Sequence, residues 1–131
     1  MLAAAALFDE APDPEVVRRF LAEPTHHLLM AYDQAGAPVG FASGVEMTHP
    51  DKGTEMFLYE LAVDEQARQQ GVGRALTEAL SALAQARGCY AMWTATEPEN
   101  LAARRTYEAA GGRATAPQVI VEWSFDDARR A

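Results

Sequence analysis

A single cysteine, Cys89, leaves no partner for an internal disulfide, and no Cys/His cluster at zinc-ligand spacing occurs in the 131 residues. Both absences argue against a disulfide or metal staple, so no metal is expected and a reducing compartment is favoured. No stretch approaches the roughly 18 consecutive apolar residues that cross a bilayer. The apolar opening from Met1 to Leu7 is short, lacks a basic start and runs into Asp9 and Glu10, unlike a secretory signal. A cytoplasmic location is the expectation. Basic residues are scarce as well, 11 against 19 acidic ones, for a formal net charge of -8. Such a surface repels duplex nucleic acid and anionic membrane, which excludes both as expected partners and suits a cationic small molecule.

What is present is enough apolar sequence, 49% of the chain, to bury one core, so residues 1–131 read as one domain. Asp13-Pro14-Glu15 offers an N-cap, a proline at the first helical position and an acid in the first turn, and predicts a helix that stops before Pro24. Residues 27–32 and the alternating row Val39, Phe41, Ser43, Val45, Met47 predict a hairpin around the turn at 34–38. A second turn at 51–53 leads to the most apolar strand, Met56 to Val63. Then the period changes: Val72, Leu76, Ala79, Leu80 and Leu83 mark one face of a helix, with Gly88 at its C-terminal stop. A strand from 89 to 95, a helix from about 99 to 110, the stop Gly111-Gly112 and a last strand carrying Val119, Val121, Trp123 and Phe125 complete the order. The fold class is α/β: a mixed sheet with antiparallel strands first, then a parallel strand–helix–strand crossover, with helices on both faces.

The crossover puts the loop Arg68-Gln69-Gln70-Gly71-Val72-Gly73-Arg74 at the carboxyl end of a strand and the start of a helix. Main-chain N–H groups there lack partners and carry partial positive charge, and glycines admit an anion close to the backbone. Arg68 and Arg74 can supplement them around a diphosphate. Taken alone, the two glycines fit an ordinary strand-to-helix turn equally well. A nucleotide P-loop is disfavoured because no Gly-Lys-Ser/Thr ending follows, and a dinucleotide fold because Leu76 stands where a third glycine belongs.

On the strand before the loop, alternation puts Met56, Leu58, Glu60 and Ala62 on one face, making Glu60 a carboxylate among apolar neighbours. Desolvation would raise its pKa toward the range of a general base; a buried glutamate satisfied by a backbone donor or an arginine is the plainer alternative. Tyr107, on the last helix, reads as a ring packed on the sheet with its hydroxyl at the rim. His26 and His27 are adjacent on a strand and face opposite ways, which argues against shared metal binding. His49 reads as a turn residue, Cys89 as a small buried filler and Trp93 as core.

Arg68-x-x-Gly71-x-Gly73 after a strand ending Leu61-Ala62-Val63 resembles the cofactor signature of the GNAT superfamily of N-acetyltransferases, and Asn100 to Tyr107 is similar to that family's later helix. Tyr59 to Val63, together with the closing Val121 to Asp126, looks like the aminoglycoside 3-N-acetyltransferase I type. The match runs loosely from Leu7 to Asp126, and the family's usual first strand is missing before the first helix.

The resemblance implies acetyl-coenzyme A as cosubstrate, held by Leu61, Ala62 and Val63 through their backbone and by Arg68, Gln69, Gln70, Gly71, Val72, Gly73, Arg74, Asn100 and Tyr107. It implies that Glu60 binds and deprotonates an ammonium and that Tyr107 donates to the departing sulfur. A backbone N–H near Leu61 or Val63 would stabilise the oxyanion. The expected reaction is direct acetyl transfer to a primary amine in a ternary complex, with an aminoglycoside or polyamine as leading acceptor. Alternatives are a protein N-terminus, a lysine or a small amino compound, and, in another class, an acetyl-coenzyme A sensor without turnover. A homodimer that completes the acceptor side is open.

Overall fold

The structure is a computed structural model describing residues 2–115 and 117–125. A short 3-10 helix, Leu2–Leu7, leads into α1, Pro14–Ala22. Asp13 caps α1 as its sequence position demands, its carboxylate accepting from the main-chain N–H of Glu15 at 2.8 Å and of Val16 at 3.4 Å. Strands β1, His26–Tyr32, β2, Pro38–His49, and β3, Gly53–Val63, form an antiparallel meander. Helix α2, Val72–Ala86, crosses to β4, Ala91–Trp93, which pairs parallel to β3. The sheet order is β1-β2-β3-β4, and α3, Leu101–Ala109, follows. The mixed α/β architecture is the one expected, and among the described residues no strand precedes α1.

The α2 face of the sheet is the tighter one. Met56 and Leu58 of β3 pack on Leu80 and Ala84 of α2, and all four are buried. Full burial of a leucine or methionine side chain contributes about 1.5–3 kcal/mol, so this cluster anchors the helix. Glycine makes the approach feasible: a Cβ at Gly44 would lie 2.9 Å from Leu80 Cδ1 and from Met56 Sδ. The opposite face is covered by the N-terminal segment, with Phe8 stacked on Phe41 at 4.3 Å between ring centroids.

Two expectations fail. The strand expected over 89–95 is paired only at Ala91–Trp93, so it leaves β3 early. The last strand does not form among the described residues: 117–125 carries no strand, and Val119 and Phe125 are 88% and 93% exposed. Alternation alone does not make a strand when the apolar side chains of the segment stay exposed rather than packing on a pleated neighbour. Asp126, the far end of the resemblance, lies outside the described residues.

An ion-paired clamp ties β1, β2 and the end of α2. Glu46 accepts from Arg87 Nε and lies 2.6 Å from His27 Nε2. Burial would raise the Glu46 pKa, but the hydrogen bonds from His27 and Arg87, with their charges, outweigh it and hold the carboxyl below its ordinary range.

Candidate active site

The glycine loop is shaped by two left-handed residues, Gln69 at φ 64° and Gly71 at φ 82°. Gly71 is the N-cap of α2, and no side chain caps that turn. Its first N–H groups therefore keep their capacity for an outside acceptor, with the helix dipole behind them. The two glycines serve different needs. Gly71 supplies the left-handed conformation and a Cβ there would meet open space, whereas a Cβ at Gly73 would come within 3.2 Å of Thr106 Cγ2. Gly73 thus allows α3 to sit close to α2.

Residues Arg68, Gln69, Gly71, Val72, Gly73 and Arg74 line one end of a groove of about 1310 Å³. Its other walls include Leu61, Ala62 and Val63 of β3 and Asn100, Thr106 and Tyr107 at the α3 side. The groove exists because β4 departs: the β3–β4 ladder covers only Glu55 to Phe57 on β3. Thr94 Oγ1 donates to the Leu58 carbonyl at 2.9 Å just past the point of departure. Among the described residues no strand pairs with Tyr59 to Val63 on that side, so a main-chain edge opens onto the groove. Arg68 Nε donates to the Val63 carbonyl at 3.3 Å, fixing the loop to the strand end, and Arg74 is ion-paired with Glu78 one turn along α2. An uncapped helix start, flanking arginines and an adjoining free strand edge fit an elongated ligand with an anionic end and amide groups along its length.

Glu60 stands beside this groove, but not by the alternation that sequence suggested. The β2–β3 register pairs Gly44 with Leu58 and Ser43 with Glu60, leaving Tyr59 as an extra residue in a β-bulge. The bulge reverses the parity of β3. Met56 and Leu58 face α2, whereas Glu60 shares a face with Ser43 on the α1 side, and Ala62 with Phe41. Glu60 lines a cavity with Phe8, Val17, Phe20, Leu28 and Phe41 among its other walls. Glu60 remains exposed to solvent in part, and partial desolvation at the cavity wall pushes its carboxyl above its ordinary range, with the negative charge of Asp9 adding to the shift. Among the described residues no arginine or backbone donor satisfies it in the manner of a structural glutamate; its electrostatic neighbour is another acid.

Tyr107 lines the groove from α3, with its ring packed against the Met56, Leu58 and Leu80 core. Burial holds its phenol above the ordinary range, opposed by a hydrogen bond with Thr94. It stays protonated at neutral pH and can donate.

Other expected positions divide. Asn100 borders the groove, yet its side-chain oxygen already accepts from the Ala103 N–H at 3.1 Å as the N-cap of α3. Gln70 does not line the groove, and its amide donates to the Gln66 carbonyl at 3.3 Å. Trp93, expected in the core, is 42% exposed and stacked on Phe57 at 4.4 Å. Sequence reasoning missed Thr94, Asp9 and Ser43. Only Ser43 left a trace, a hydroxyl in an otherwise apolar alternating row. Among the described residues no group of three or more His, Cys, Asp or Glu can hold a metal, and no helix is long and apolar enough to cross a membrane.

Comparison with known proteins agrees with this geometry. The acetyltransferase (GNAT) family profile matches residues 2–111, and the chain belongs to that family of acetyl-coenzyme A-dependent enzymes. No curated protein matches. Among solved structures, the aminoglycoside acetyltransferase meta-AAC0020 from an uncultured soil metagenomic sample superposes with a TM-score of 0.82 at 19% identity, over 95% of this chain and 84% of that one. A second soil metagenomic aminoglycoside acetyltransferase, HMB0005, gives 0.77 at 25% identity, over 94% and 88%. AAC(6')-Iy in complex with the bisubstrate analog CoA-S-monomethyl-acetylneamine gives 0.77 at 23% identity, over 91% and 85%.

Proposed function

We propose that this domain transfers an acetyl group from acetyl-coenzyme A to a primary amine bound beside Glu60, by direct attack and without a covalent acetyl-enzyme. The observation that carries the reading is the meeting of two features on β3. A groove with an uncapped helix start runs along Leu61 to Val63, and a carboxylate of raised pKa stands at the adjoining residue.

When bound, acetyl-coenzyme A supplies the carbonyl that is attacked and the thiolate that leaves. The N–H groups from Gly71 to Arg74, with Arg68 and Arg74, hold its diphosphate, and the Gln69-Gln70 turn presents them. The open edge at Leu61, Ala62 and Val63 would pair with the pantetheine amides, and a β3 N–H in this stretch would stand ready to stabilise negative charge on the carbonyl oxygen. Glu60 takes a proton from the ammonium, freeing the lone pair that forms the N–C bond. Tyr107 would give its phenolic proton as the C–S bond breaks and regain one from the second proton shed by the attacking nitrogen, so that amide, free coenzyme A and the one proton on Glu60 account for the whole step.

The acidic net charge and Asp9 beside Glu60 support a cationic amine as acceptor, the broad class to which the expected aminoglycoside or polyamine belongs. Exposed Val119, Ile120, Val121, Trp123 and Phe125 support a homodimer, which sedimentation of the full chain against one truncated before Val119 tests.

Two measurements test the reading: the thermal midpoint with and without acetyl-coenzyme A, and free-thiol release over aminoglycosides, polyamines, amino acids, peptides and simple amines. A raised midpoint with amine-dependent thiol release is expected. A raised midpoint without release by any amine would favour a binding module instead, and no shift at all would end the assignment.

A further inference from the structure

The cavity under α1 has a volume of about 180 Å³ and is walled chiefly by Phe8, Val17, Phe20, Leu28 and Phe41. Three polar side chains also line it, Asp13, Ser43 and Glu60. Asp13 is committed to capping α1. Ser43 is 5% exposed, and its Oγ has no hydrogen-bond partner among the described residues. A buried hydroxyl without a partner typically costs about 1–3 kcal/mol, so its persistence in an apolar wall calls for a ligand that satisfies it. Ser43 and Glu60 are cross-strand partners on the same face, which sets their side chains next to each other at the cavity wall.

We propose that this cavity selects the acceptor, which is a primary amine carrying a small apolar body, an aromatic ring or branched alkyl group, rather than a polyhydroxylated amino sugar. The inference deepens the acetyl-transfer reading and rests on it. Size agrees: a dry apolar cavity of roughly 150 Å³ is enough to take up benzene. Chemistry agrees as well. An aminocyclitol ring would bring several hydroxyls against phenylalanine, valine and leucine, each losing water without a replacement partner. An apolar group displaces nothing it must replace, while its ammonium finds Glu60 as counter-charge and Ser43 Oγ as hydrogen-bond acceptor. Selection then comes from the wall, and proton transfer from Glu60.

The test compares 2-phenylethylamine and isoamylamine with spermidine and kanamycin in the thiol-release assay, alongside calorimetric binding of 2-phenylethylamine with coenzyme A present. A kcat/KM at least about 10-fold higher for the apolar amines is expected, the scale on which a hydrophobic pocket discriminates. Filling the cavity with Val17→Trp, or more gently Val17→Phe, should raise KM for 2-phenylethylamine about 10-fold and leave the acetyl-coenzyme A thermal shift unchanged. Ser43→Ala should weaken its binding about 5-fold. Equal or reversed preference, no binding of 2-phenylethylamine, or a Val17→Phe variant that still shifts with acetyl-coenzyme A and keeps the parent KM overturns the proposal. Turnover of kanamycin or spermidine alone overturns the cavity's role while acetyl transfer stands. If no amine is turned over, acetyl transfer falls, and calorimetry still decides whether the cavity binds the apolar amine.

Discussion

The two sides of β3 are built by different means. On the groove side the recognition elements are main-chain groups: an uncapped helix start at Gly71 and a strand edge left open by the early departure of β4. On the α1 side they are side chains, Glu60 and Ser43 in an apolar wall, brought onto one face by the bulge at Tyr59. Main-chain recognition depends on where glycines and element boundaries fall, which is local. Side-chain recognition here depends on a register shift of one residue, which is not. Mutations should therefore separate donor binding from acceptor chemistry cleanly.

The largest effect should come from Glu60→Gln, lowering kcat/KM roughly 100-fold or more while the acetyl-coenzyme A thermal shift is kept. Loss of that shift in the variant would merge the two sides and break the comparison. Tyr107→Phe should lower kcat about 10- to 100-fold with little change in donor affinity, since its ring packing is preserved. The pH profile sharpens the division further. Glu60 must be ionised to accept a proton, and its pKa is raised, so kcat/KM should fall with decreasing pH along a limb lying above the ordinary glutamate range. In Glu60→Gln that limb should vanish from the residual rate; its survival would assign the base elsewhere.

Within the loop, Gly71→Ala should cost about 1 kcal/mol of stability, because a left-handed φ of 82° disfavours any Cβ even in open space. Gly73→Ala, against Thr106, should in addition weaken the donor-induced shift by displacing α3 from the groove. The smallest effect, and one neutral to both sides, should lie in the Glu46 clamp. Its folded pKa is depressed, so its stabilisation is fully present above the unfolded glutamate pKa and is lost as pH falls through the lower folded value. Thermal melts from pH 7 down to pH 3 should show a steeper decline for the parent than for Glu46→Gln, with coincident slopes counting against the clamp.

Much of this was legible in the chain. Asp13 and Pro14 cap α1 where local chemistry places them, Gly88 takes the left-handed conformation at the end of α2, and the period change after Val63 marks the crossover. Trp93 and the row from Val119 to Phe125 were not legible, because an apolar residue records a preference for burial without naming what covers it. Asn100 was expected at the cofactor through the resemblance alone, and its side-chain oxygen accepts from the Ala103 N–H as the N-cap of α3, a role that the sequence reading did not assign.

The sequence by itself determined the order of elements, the anion-ready turn at Gly71 and the presence of one carboxylate before Leu61-Ala62-Val63, since caps, turns and periodicity act over a few residues. Only the tertiary structure decided which face Glu60 occupies, that Ser43 Oγ lacks a partner among the described residues and that both side chains line an apolar cavity under α1. Those features arise from strand register and from α1 packing across the sheet, and contacts between segments distant in the chain leave no local pattern to read.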